Sequence, residues 1–330
     1  MIKVGLLGAG RIAGVHATAI CANPDSVLAA VSDYIPENAE KLAMQYGSIA
    51  RSTDDIIADP EIDAVLIATS TDTHSDLIEQ ATQAGKAVLC EKPVDLSLQR
   101  ARECLANADQ NGKPVMIGFN RRFDPHFSAL KDALDAGEIG KTEMLAITSY
   151  DPAPPPIAYI NVSGGIFRDM MIHDFDMANF LMGDAPVTVS AVGSCLVDPA
   201  IGAAGDFDTA VVTLTYADGR IATIRNTRRA GYGDQRVEVQ GSDGMLQVGN
   251  FVENLLTKST ASGVTSAKPV LFFLERYMPA YAAEWNAFIK SYKAGAALPV
   301  TLEDGVLALA MAEAATQSAK TEQPVRLADV

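Results

Sequence analysis

A histidine and two aspartates in the middle of the chain, Asp169, His173 and Asp176, stand at positions i, i+4 and i+7. A single helix would carry all three side chains on one face, and Gly183 is the type of residue that ends such a helix. An aspartate one turn before a histidine can hold the imidazole in one tautomer and stabilise its charged form, as a general base requires. A solvated helix face or a structural Asp–His pair is the competing interpretation.

A nucleotide-binding pattern opens the chain. The apolar run 2–7 is followed by Gly8-Ala9-Gly10-Arg11-Ile12-Ala13, which matches G-x-G-x-x-G/A with alanine in the third small position. The first glycine permits a tight turn, the second lets the backbone approach a pyrophosphate, and the following helix N-terminus attracts negative charge. A glycine turn that binds no nucleotide is the alternative. We assign to the cofactor site Gly8, Gly10, Arg11 and Ile12.

An acidic residue follows at the distance that this pattern requires. The apolar run 27–32 ends at Asp33, about 20 residues beyond the glycine turn, where a carboxylate binds the adenine ribose. Asp33 can accept hydrogen bonds from both ribose hydroxyls and would repel a 2′-phosphate. Tyr34, Ile35 and Pro36 come next and include no arginine to neutralise that phosphate. The sequence therefore predicts NAD rather than NADP.

Two further loops follow apolar runs in the same half of the chain. The run 64–68 leads into a hydroxyl-rich segment, at the end of a parallel strand where such sheets bind ligands. From this segment we assign to the cofactor site Thr69, Ser70, Thr71 and His74. The run 87–90 leads into Glu91-Lys92-Pro93. Lys92 is either a surface residue that caps the strand or a cation that polarises a substrate hydroxyl.

The elements that must position these residues fall into two groups. In residues 1–120, strands alternate with helices of 10–15 residues, which predicts a doubly wound parallel sheet of the Rossmann type. Residues 121–330 predict an α+β domain with a large, mainly antiparallel open sheet. Its predicted features are a helix from Asp124 to Ala136, strands at 144–148, 187–196, 207–216, 220–227, 235–241 and 244–250, a mobile polar loop at 258–268, and helices near 279–293 and 302–318.

The composition of the chain indicates which kinds of molecule the protein can bind. A formal net charge of -15 over 330 residues argues against nucleic-acid binding, which needs a basic stripe, and disfavours anionic membranes. No apolar run approaches the roughly 18 residues that span a bilayer, and no secretory signal precedes the first strand. The four cysteines, Cys21, Cys90, Cys104 and Cys195, lack metal-ligand spacing and predict a reducing compartment. We expect a cytoplasmic protein that binds no metal.

Together these motifs resemble the glucose–fructose oxidoreductase/inositol dehydrogenase/rhizopine-catabolism (Gfo/Idh/MocA) family. The resemblance rests on the glycine turn, on Glu91-Lys92-Pro93, on the segment 118–127, and on Gly164-Gly165 followed by Asp169-x-x-x-His173. It covers essentially the whole chain. It implies NAD-dependent oxidation of a cyclic polyol hydroxyl to a ketone, with myo-inositol as the expected substrate. It also implies that 121–330 binds substrate and assembles the chain, commonly as a homotetramer, through an uncovered sheet face.

The resemblance also implies roles for individual residues. His173 would take the hydroxyl proton, Asp169 would orient His173, and Lys92 would hydrogen-bond the reacting oxygen. Glu91 would belong to the cofactor side of the site. The substrate-binding residues carried over in this way are Lys92, Arg122, Asp151, Asp169, His173, Tyr232 and Tyr277.

One departure from the family pattern bears on the substrate. The order Tyr-Gly-Tyr-Asp of close family members stands here as Gly231-Tyr232-Gly233-Asp234. The alternatives within the same chemistry are scyllo-inositol and a pyranose sugar. A catalytically silent NAD-sensing regulator is an alternative of another class, but it would need no base, orienting carboxylate and lysine together. A metal-assisted hydrolase or lyase would need further ligands near His173, and the other histidines are far away in sequence.

Overall fold

The structure is a computed structural model that describes residues 1–271 and 273–330. The chain forms two compact units. The first contains residues 1–123 and 278–309, and the second contains residues 124–277 and 310–330. The chain thus returns to the first unit near its C-terminus, whereas a single domain boundary at residue 120 is predicted from the sequence.

A parallel six-stranded sheet is the main sheet of the first unit. Its strands are β1 (Ile2–Leu7), β2 (Ser26–Ser32), β3 (Ile49–Ala50), β4 (Ala64–Ile67), β5 (Ala87–Cys90) and β6 (Val115–Ile117). They lie in the order β3-β2-β1-β4-β5-β6. Every residue of β4 and β5 is buried, as the uninterrupted apolar runs of these strands predict. The predicted Rossmann-type sheet is confirmed.

Five helices alternate with these strands, and local signals set their ends. They are α1 (Arg11–Ala22), α2 (Pro36–Tyr46), α3 (Thr53–Ala58), α4 (His74–Gln83) and α5 (Leu98–Asn111). Ser97 caps α5 by accepting a hydrogen bond from the Arg100 amide, and Gly112 ends it in the left-handed conformation.

The remaining helices follow in chain order. They are α6 (Pro125–Asp135), α7 (Ile157–Ser163), α8 (Gly165–Asp169), α9 (Ile172–Met182), α10 (Pro199–Ala203), α11 (Phe273–Ala294) and α12 (Leu302–Thr321). Asp124 caps α6 as predicted, because its carboxylate accepts hydrogen bonds from the amides of His126 and Phe127. The short helices α7 and α10 were not predicted.

The second unit is built on a seven-stranded mixed sheet. The remaining strands of the chain are β7 (Thr142–Tyr150), β8 (Thr188–Ser194), β9 (Thr209–Thr215), β10 (Ile221–Thr227), β11 (Asp234–Gly241), β12 (Met245–Val248), β13 (Thr257–Thr260), β14 (Gly263–Ser266) and β15 (Val325–Arg326). The sheet order is β12-β11-β7-β10-β9-β8-β15. The predicted, mainly antiparallel sheet is confirmed.

One strand pair in this sheet is parallel, between β7 and β10. After β7 the chain passes through α7, α8 and α9 before it enters β8. It then returns through two antiparallel pairs, β8–β9 and β9–β10, which leave β10 beside β7 and running in the same direction. This crossover carries Asp169 and His173.

The prediction of a mobile polar loop at residues 258–268 is wrong. This segment contains the antiparallel pair β13 and β14, closed by Gly263 at a φ of +133°. Threonine and valine favour the extended backbone even where no side chain is buried, and every residue of the two strands is exposed.

Among the described residues, no helix is long and apolar enough to cross a membrane.

A buried carboxylate organises the connection from β8 to β9. Asp208 accepts hydrogen bonds from three consecutive amides, those of Leu196 (2.8 Å), Val197 (2.7 Å) and Asp198 (3.0 Å). Burial alone would raise the pKa of this carboxyl, but the three amide donors outweigh it and lower the pKa to about 2.

We therefore predict that Asp208 makes stability depend on pH in the acid range. Because the folded pKa lies below the unfolded value of 3.8, its contribution is fully present above pH ~5 and is lost as pH falls toward ~2. In urea unfolding, Asp208→Asn should be less stable than the wild type by about 2 kcal/mol at neutral pH, and this gap should begin to narrow below pH ~4. A gap that stays constant from pH 7 to pH 3 would contradict the assignment.

Candidate active site

The carboxyl ends of four parallel strands lie in register in the first unit. Leu7 of β1 pairs with Ser32 of β2 and with Ile67 of β4, and Ile67 pairs with Cys90 of β5. The residues that follow these four are the glycine turn, Asp33, the threonine-rich segment and Glu91-Lys92. The sheet therefore presents these predicted cofactor residues at one edge, where parallel sheets bind ligands.

The glycine turn has the geometry that a pyrophosphate needs. Gly8 has a φ of +102°, and a Cβ there would collide with the Ala68 carbonyl oxygen. An added Cβ at Gly10 would meet no described atom within 4 Å, so the backbone lies open to a ligand there. Helix α1 begins at Arg11 without a side-chain cap, so the amides of its first turn are left to bind a ligand that lies against the glycine turn.

The Asp33 carboxylate lies directly against this turn. One of its oxygens accepts a hydrogen bond from the Ala9 amide (2.7 Å), and the other accepts one from the Ile35 amide (2.8 Å). Each carboxylate oxygen can accept a second hydrogen bond, so both can also receive a ribose hydroxyl. The residues of this edge therefore fit a dinucleotide without a 2′-phosphate.

His74 holds two loops of this edge together. It is buried, with Nδ1 2.8 Å from the Pro93 carbonyl and Nε2 3.3 Å from the Thr69 carbonyl. Burial lowers its pKa although both carbonyls favour the charged form. Thr69, Ser70 and Thr71 remain partly or fully exposed. The structure thus gives His74 a supporting contact with the loop of Lys92, and leaves the hydroxyl groups before it accessible.

A buried hydrogen bond between His16 and Glu91 supports the segment that carries Lys92. His16 Nε2 of α1 lies 2.7 Å from Glu91 Oε1, and both side chains are buried. Burial alone would raise the pKa of the Glu91 carboxyl, but the hydrogen bond from His16 and the nearby Lys92 ammonium lower it overall. Glu91 is therefore a carboxylate that ties the end of β5 to the helix after the glycine turn. Lys92 itself is half-buried.

Arg122 makes contacts within the first unit. Its guanidinium pairs with Asp304 (3.1 Å) and donates to the Pro299 carbonyl (3.3 Å). It is 9% exposed. The structure thus brings the predicted substrate arginine into an ion pair with an acidic residue that sequence reasoning did not select.

The helix that was predicted to carry Asp169 and His173 is interrupted. Helix α8 ends at Asp169 and α9 begins at Ile172, so the two residues lie on separate helices. The Met171 amide donates to the Ile166 carbonyl, five residues earlier, which widens the turn between them. The prediction that Asp169 and His173 lie on one face of a single helix is therefore wrong, although His173 and Asp176 are both on α9. His173 is half-buried and Asp176 is buried.

Two residues that the sequence did not single out contact Asp169, and a third, Asp206, is connected to it through Arg228. The Tyr159 hydroxyl donates to Asp169 Oδ1 (2.8 Å), and Arg228 Nη2 lies 3.7 Å from Oδ2. The same Arg228 nitrogen lies 3.6 Å from Asp206, whose other oxygen accepts a hydrogen bond from the Ile166 amide. Arg228 is only 1% exposed, so the two carboxylates are the charges that balance a buried cation.

This arrangement explains the glycine pair before Asp169. Gly165 has a φ of +84°, and a Cβ there would lie 2.6 Å from Asp206 Oδ1. Only glycine fits this backbone and leaves room for Asp206.

The other predicted substrate residues differ in their surroundings. Tyr277 is buried, and its hydroxyl lies 3.3 Å from the side-chain amide of Gln235. Asp151 and Tyr232 are partly exposed. Next to Tyr232, the Gly233 amide donates to the Leu271 carbonyl (3.2 Å), and an added Cβ at Gly233 would lie 3.2 Å from the same oxygen. The absence of a side chain at Gly233 therefore lets the chain near Leu271 approach closely.

Some of the supporting residues carried a signal in the sequence. His16 lies on the same helix face as Ala13, Ala17 and Ile20, so it is a polar residue in an apolar stripe. Asn226 and Arg228 continue the inward-facing alternation of β10. Asp206 had no such signal. In the part of the chain that the structure describes, no group of three histidine, cysteine or acidic side chains could hold a metal ion.

Comparison with known proteins identifies both halves of the chain. Residues 2–119 match the family described as "Oxidoreductase family, NAD-binding Rossmann fold", and residues 127–247 match the "GFO/IDH/MocA C-terminal domain". The inositol 2-dehydrogenase of Rhizobium meliloti (strain 1021) is 49% identical over 328 residues, which is 99% of each chain.

Solved structures agree with this similarity. A myo-inositol dehydrogenase from Corynebacterium glutamicum is 42% identical, with a TM-score of 0.95 over 99% of each chain. The scyllo-inositol dehydrogenase of Lactobacillus casei with bound NAD(H) and scyllo-inositol is 28% identical, with a TM-score of 0.92 over 99% of each chain.

The position of Asp33 predicts a change of cofactor preference in Asp33→Ala. Loss of the carboxylate should raise the KM for NAD by about tenfold or more, since hydrogen bonds to a charged group contribute about 1.5–3 kcal/mol. Relative use of NADP should improve because the repulsion of a 2′-phosphate is gone. Initial rates with each cofactor measure both effects. Asp33→Asn is the matched control, because it keeps an acceptor for the Ala9 amide. An unchanged ratio of NAD to NADP use in Asp33→Ala would place the ribose elsewhere.

Proposed function

Because the chain belongs to the GFO/IDH/MocA family of NAD-binding oxidoreductases, we propose that it oxidises myo-inositol to 2-keto-myo-inositol (scyllo-inosose). Membership of this family makes it an NAD-dependent dehydrogenase rather than an NAD-sensing regulator. The observation that carries the substrate assignment is full-length similarity to an inositol 2-dehydrogenase at 49% identity.

We propose that the cofactor lies along the carboxyl edge of the first sheet. Its pyrophosphate would lie against Gly8, Gly10 and the N-terminus of α1, and its adenine ribose against Asp33. Bound NAD supplies the hydride acceptor for the reaction. The open backbone at Gly10 and the free acceptor capacity of Asp33 support this placement.

The proposed catalytic residues are His173, Asp169 and Lys92. His173 takes the proton of the reacting hydroxyl as the C–H bond of the same carbon loses its hydride. Asp169 orients the imidazole and stabilises the charge that it acquires, and Tyr159 and Arg228 keep that carboxylate in place. Lys92 donates a hydrogen bond to the reacting oxygen and so stabilises the negative charge that develops on it. Asp151, Tyr232, Tyr277 and Arg122 would then bind the remaining hydroxyl groups.

The second candidate substrate is scyllo-inositol. The Lactobacillus casei relative was solved with that polyol bound, so the same fold accommodates either isomer.

The test is a screen of the purified chain with NAD against myo-inositol, scyllo-inositol and D-glucose, followed by NADH absorbance. We expect the highest kcat/KM with myo-inositol. His173→Ala should lower its turnover by about 10²–10⁴-fold, which is the usual contribution of positioned acid–base catalysis. Asn179→Ala, on the same helix, is the matched control and should keep wild-type turnover. A wild type that oxidises no polyol contradicts the function, and near-normal turnover in His173→Ala removes that residue as the base.

We also propose that the chain is a cytoplasmic homotetramer assembled through the open face of the mixed sheet. Two cross-strand apolar pairs are exposed there, Val192 with Val211 and Met144 with Ile221. Burying such pairs between copies would stabilise an assembly. The four cysteines are all unpaired, which fits a reducing compartment.

Light scattering should give a mass four times that of the 34.9 kDa chain. Val211→Asp should reduce this mass, because the charge would be buried without a partner. Leu255→Asp is the control, since Leu255 is 93% exposed and lies outside the sheet. A wild-type monomer, or a tetramer in Val211→Asp, would contradict assembly through this face.

A further inference from the structure

The residue after the proposed base is a fully buried aspartate. Asp174 lies in the first turn of α9, and its side chain has no exposed surface. One carboxylate oxygen accepts a hydrogen bond from Ser149 Oγ of β7 (2.8 Å), and the other accepts one from Asn226 Nδ2 of β10 (2.9 Å). A buried carboxylate is tolerated only with such donors, so α9 is held to two strands at this point.

The donors belong to one row of the mixed sheet. Asn226, Ser149 and Gln235 are direct neighbours in register on β10, β7 and β11. We call these three residues the polar row. Ser149 Oγ lies 2.8 Å from the side-chain amide of Gln235. A serine hydroxyl can donate only one hydrogen bond, and we assign this one to the carboxylate of Asp174. The Gln235 side-chain amide is then oriented so that its N–H group donates to Ser149.

The polar row continues to a predicted substrate residue. The hydroxyl of Tyr277 lies 3.3 Å from the same Gln235 amide. The backbone of Gln235 is itself fixed, since its carbonyl accepts a hydrogen bond from buried Arg276 (3.0 Å) and its amide donates to Asn250 (2.7 Å). A continuous buried chain of hydrogen bonds therefore runs from the residue beside His173 to Tyr277.

We propose that Asp174 is a positioning residue that sets His173 and Tyr277 relative to each other through the polar row. The proposal rests on the function proposed above, in which His173 is the base and Tyr277 binds a polyol hydroxyl. Because the network lies out of water, each of its hydrogen bonds holds its partners more firmly than an exposed bond would. Loss of the carboxylate would let the start of α9 shift against β7 and β10. A shift of about 1 Å at a reacting group can cost about 100-fold in rate.

The test uses a reciprocal exchange of the two side chains. Asp174→Asn replaces the carboxylate by a neutral amide, so the hydrogen bonds to Ser149 and Asn226 lose the charge that strengthens them. Adding Asn226→Asp returns a carboxylate to this pair, with the charged acceptor and the amide donor in exchanged positions. We expect Asp174→Asn to lower kcat about 10- to 100-fold and to raise the KM for the polyol, with the KM for NAD unchanged. The double variant should recover most of both losses.

The result is compared with Asn179→Ala, with Ser149→Ala and with the double variant. Asn179→Ala, on the same helix, should keep wild-type kinetics. Ser149→Ala removes a different hydrogen bond of the network and should likewise raise the KM for the polyol while leaving the KM for NAD unchanged. It also tests the proposal if Asp174→Asn is too unstable to purify. Wild-type kcat and polyol KM in a folded Asp174→Asn or Ser149→Ala would overturn the positioning role. So would a double variant that regains the melting temperature but not turnover.

Failure of this role is distinguishable from failure of the proposed function. A wild type that oxidises none of the polyols, or an active His173→Ala, contradicts the function. Unchanged kinetics in Asp174→Asn beside an inactive His173→Ala contradicts only the role of Asp174.

Discussion

The in-register parallel pairing of β2, β1, β4 and β5 is the constraint on which the nucleotide half of the site depends. Because Ser32, Leu7, Ile67 and Cys90 stand side by side, the segments after them begin at the same edge of the sheet. The glycine turn, Asp33 and Glu91-Lys92 are far apart in sequence, and only this register brings them together. Every residue of β4 and β5 is apolar and buried, and this burial stabilises the sheet that holds the edge in place.

The second unit holds two charged groups out of contact with water. Arg228 and Asp174 are both buried, and each is surrounded by groups of opposite charge or by hydrogen-bond donors. Burying a charge is costly unless its partners are in place, so each of these groups allows few alternative arrangements of its neighbours. The two clusters lie around α8 and α9, the helices that carry Asp169 and His173. The contacts that keep these buried charges stable therefore also fix the positions of α8 and α9.

Local signals explain which features could be predicted from the sequence. The glycine turn, the acidic residue after β2 and the cap of α6 at Asp124 are set by residues within a few positions of each other. The parallel pairing of β7 with β10 could not be predicted, because it depends on where a crossover of three helices returns. The interruption at Met170-Met171 was hidden because both helices share one apolar pattern. The contacts of His16 with Glu91 and of Arg228 with Asp169 and Asp206 join residues 22 to 75 positions apart, which no local pattern reports.

The central claim is that Lys92 and His173 act on one hydroxyl group of a cyclic polyol. The most direct measurement is a crystal structure of the wild-type chain with NADH and myo-inositol bound. The account predicts a single inositol hydroxyl within about 3.2 Å of both Lys92 Nζ and a ring nitrogen of His173, with the dinucleotide against Gly8 and Gly10. An inositol that contacts only one of the two residues, or a dinucleotide bound away from the glycine turn, would contradict it.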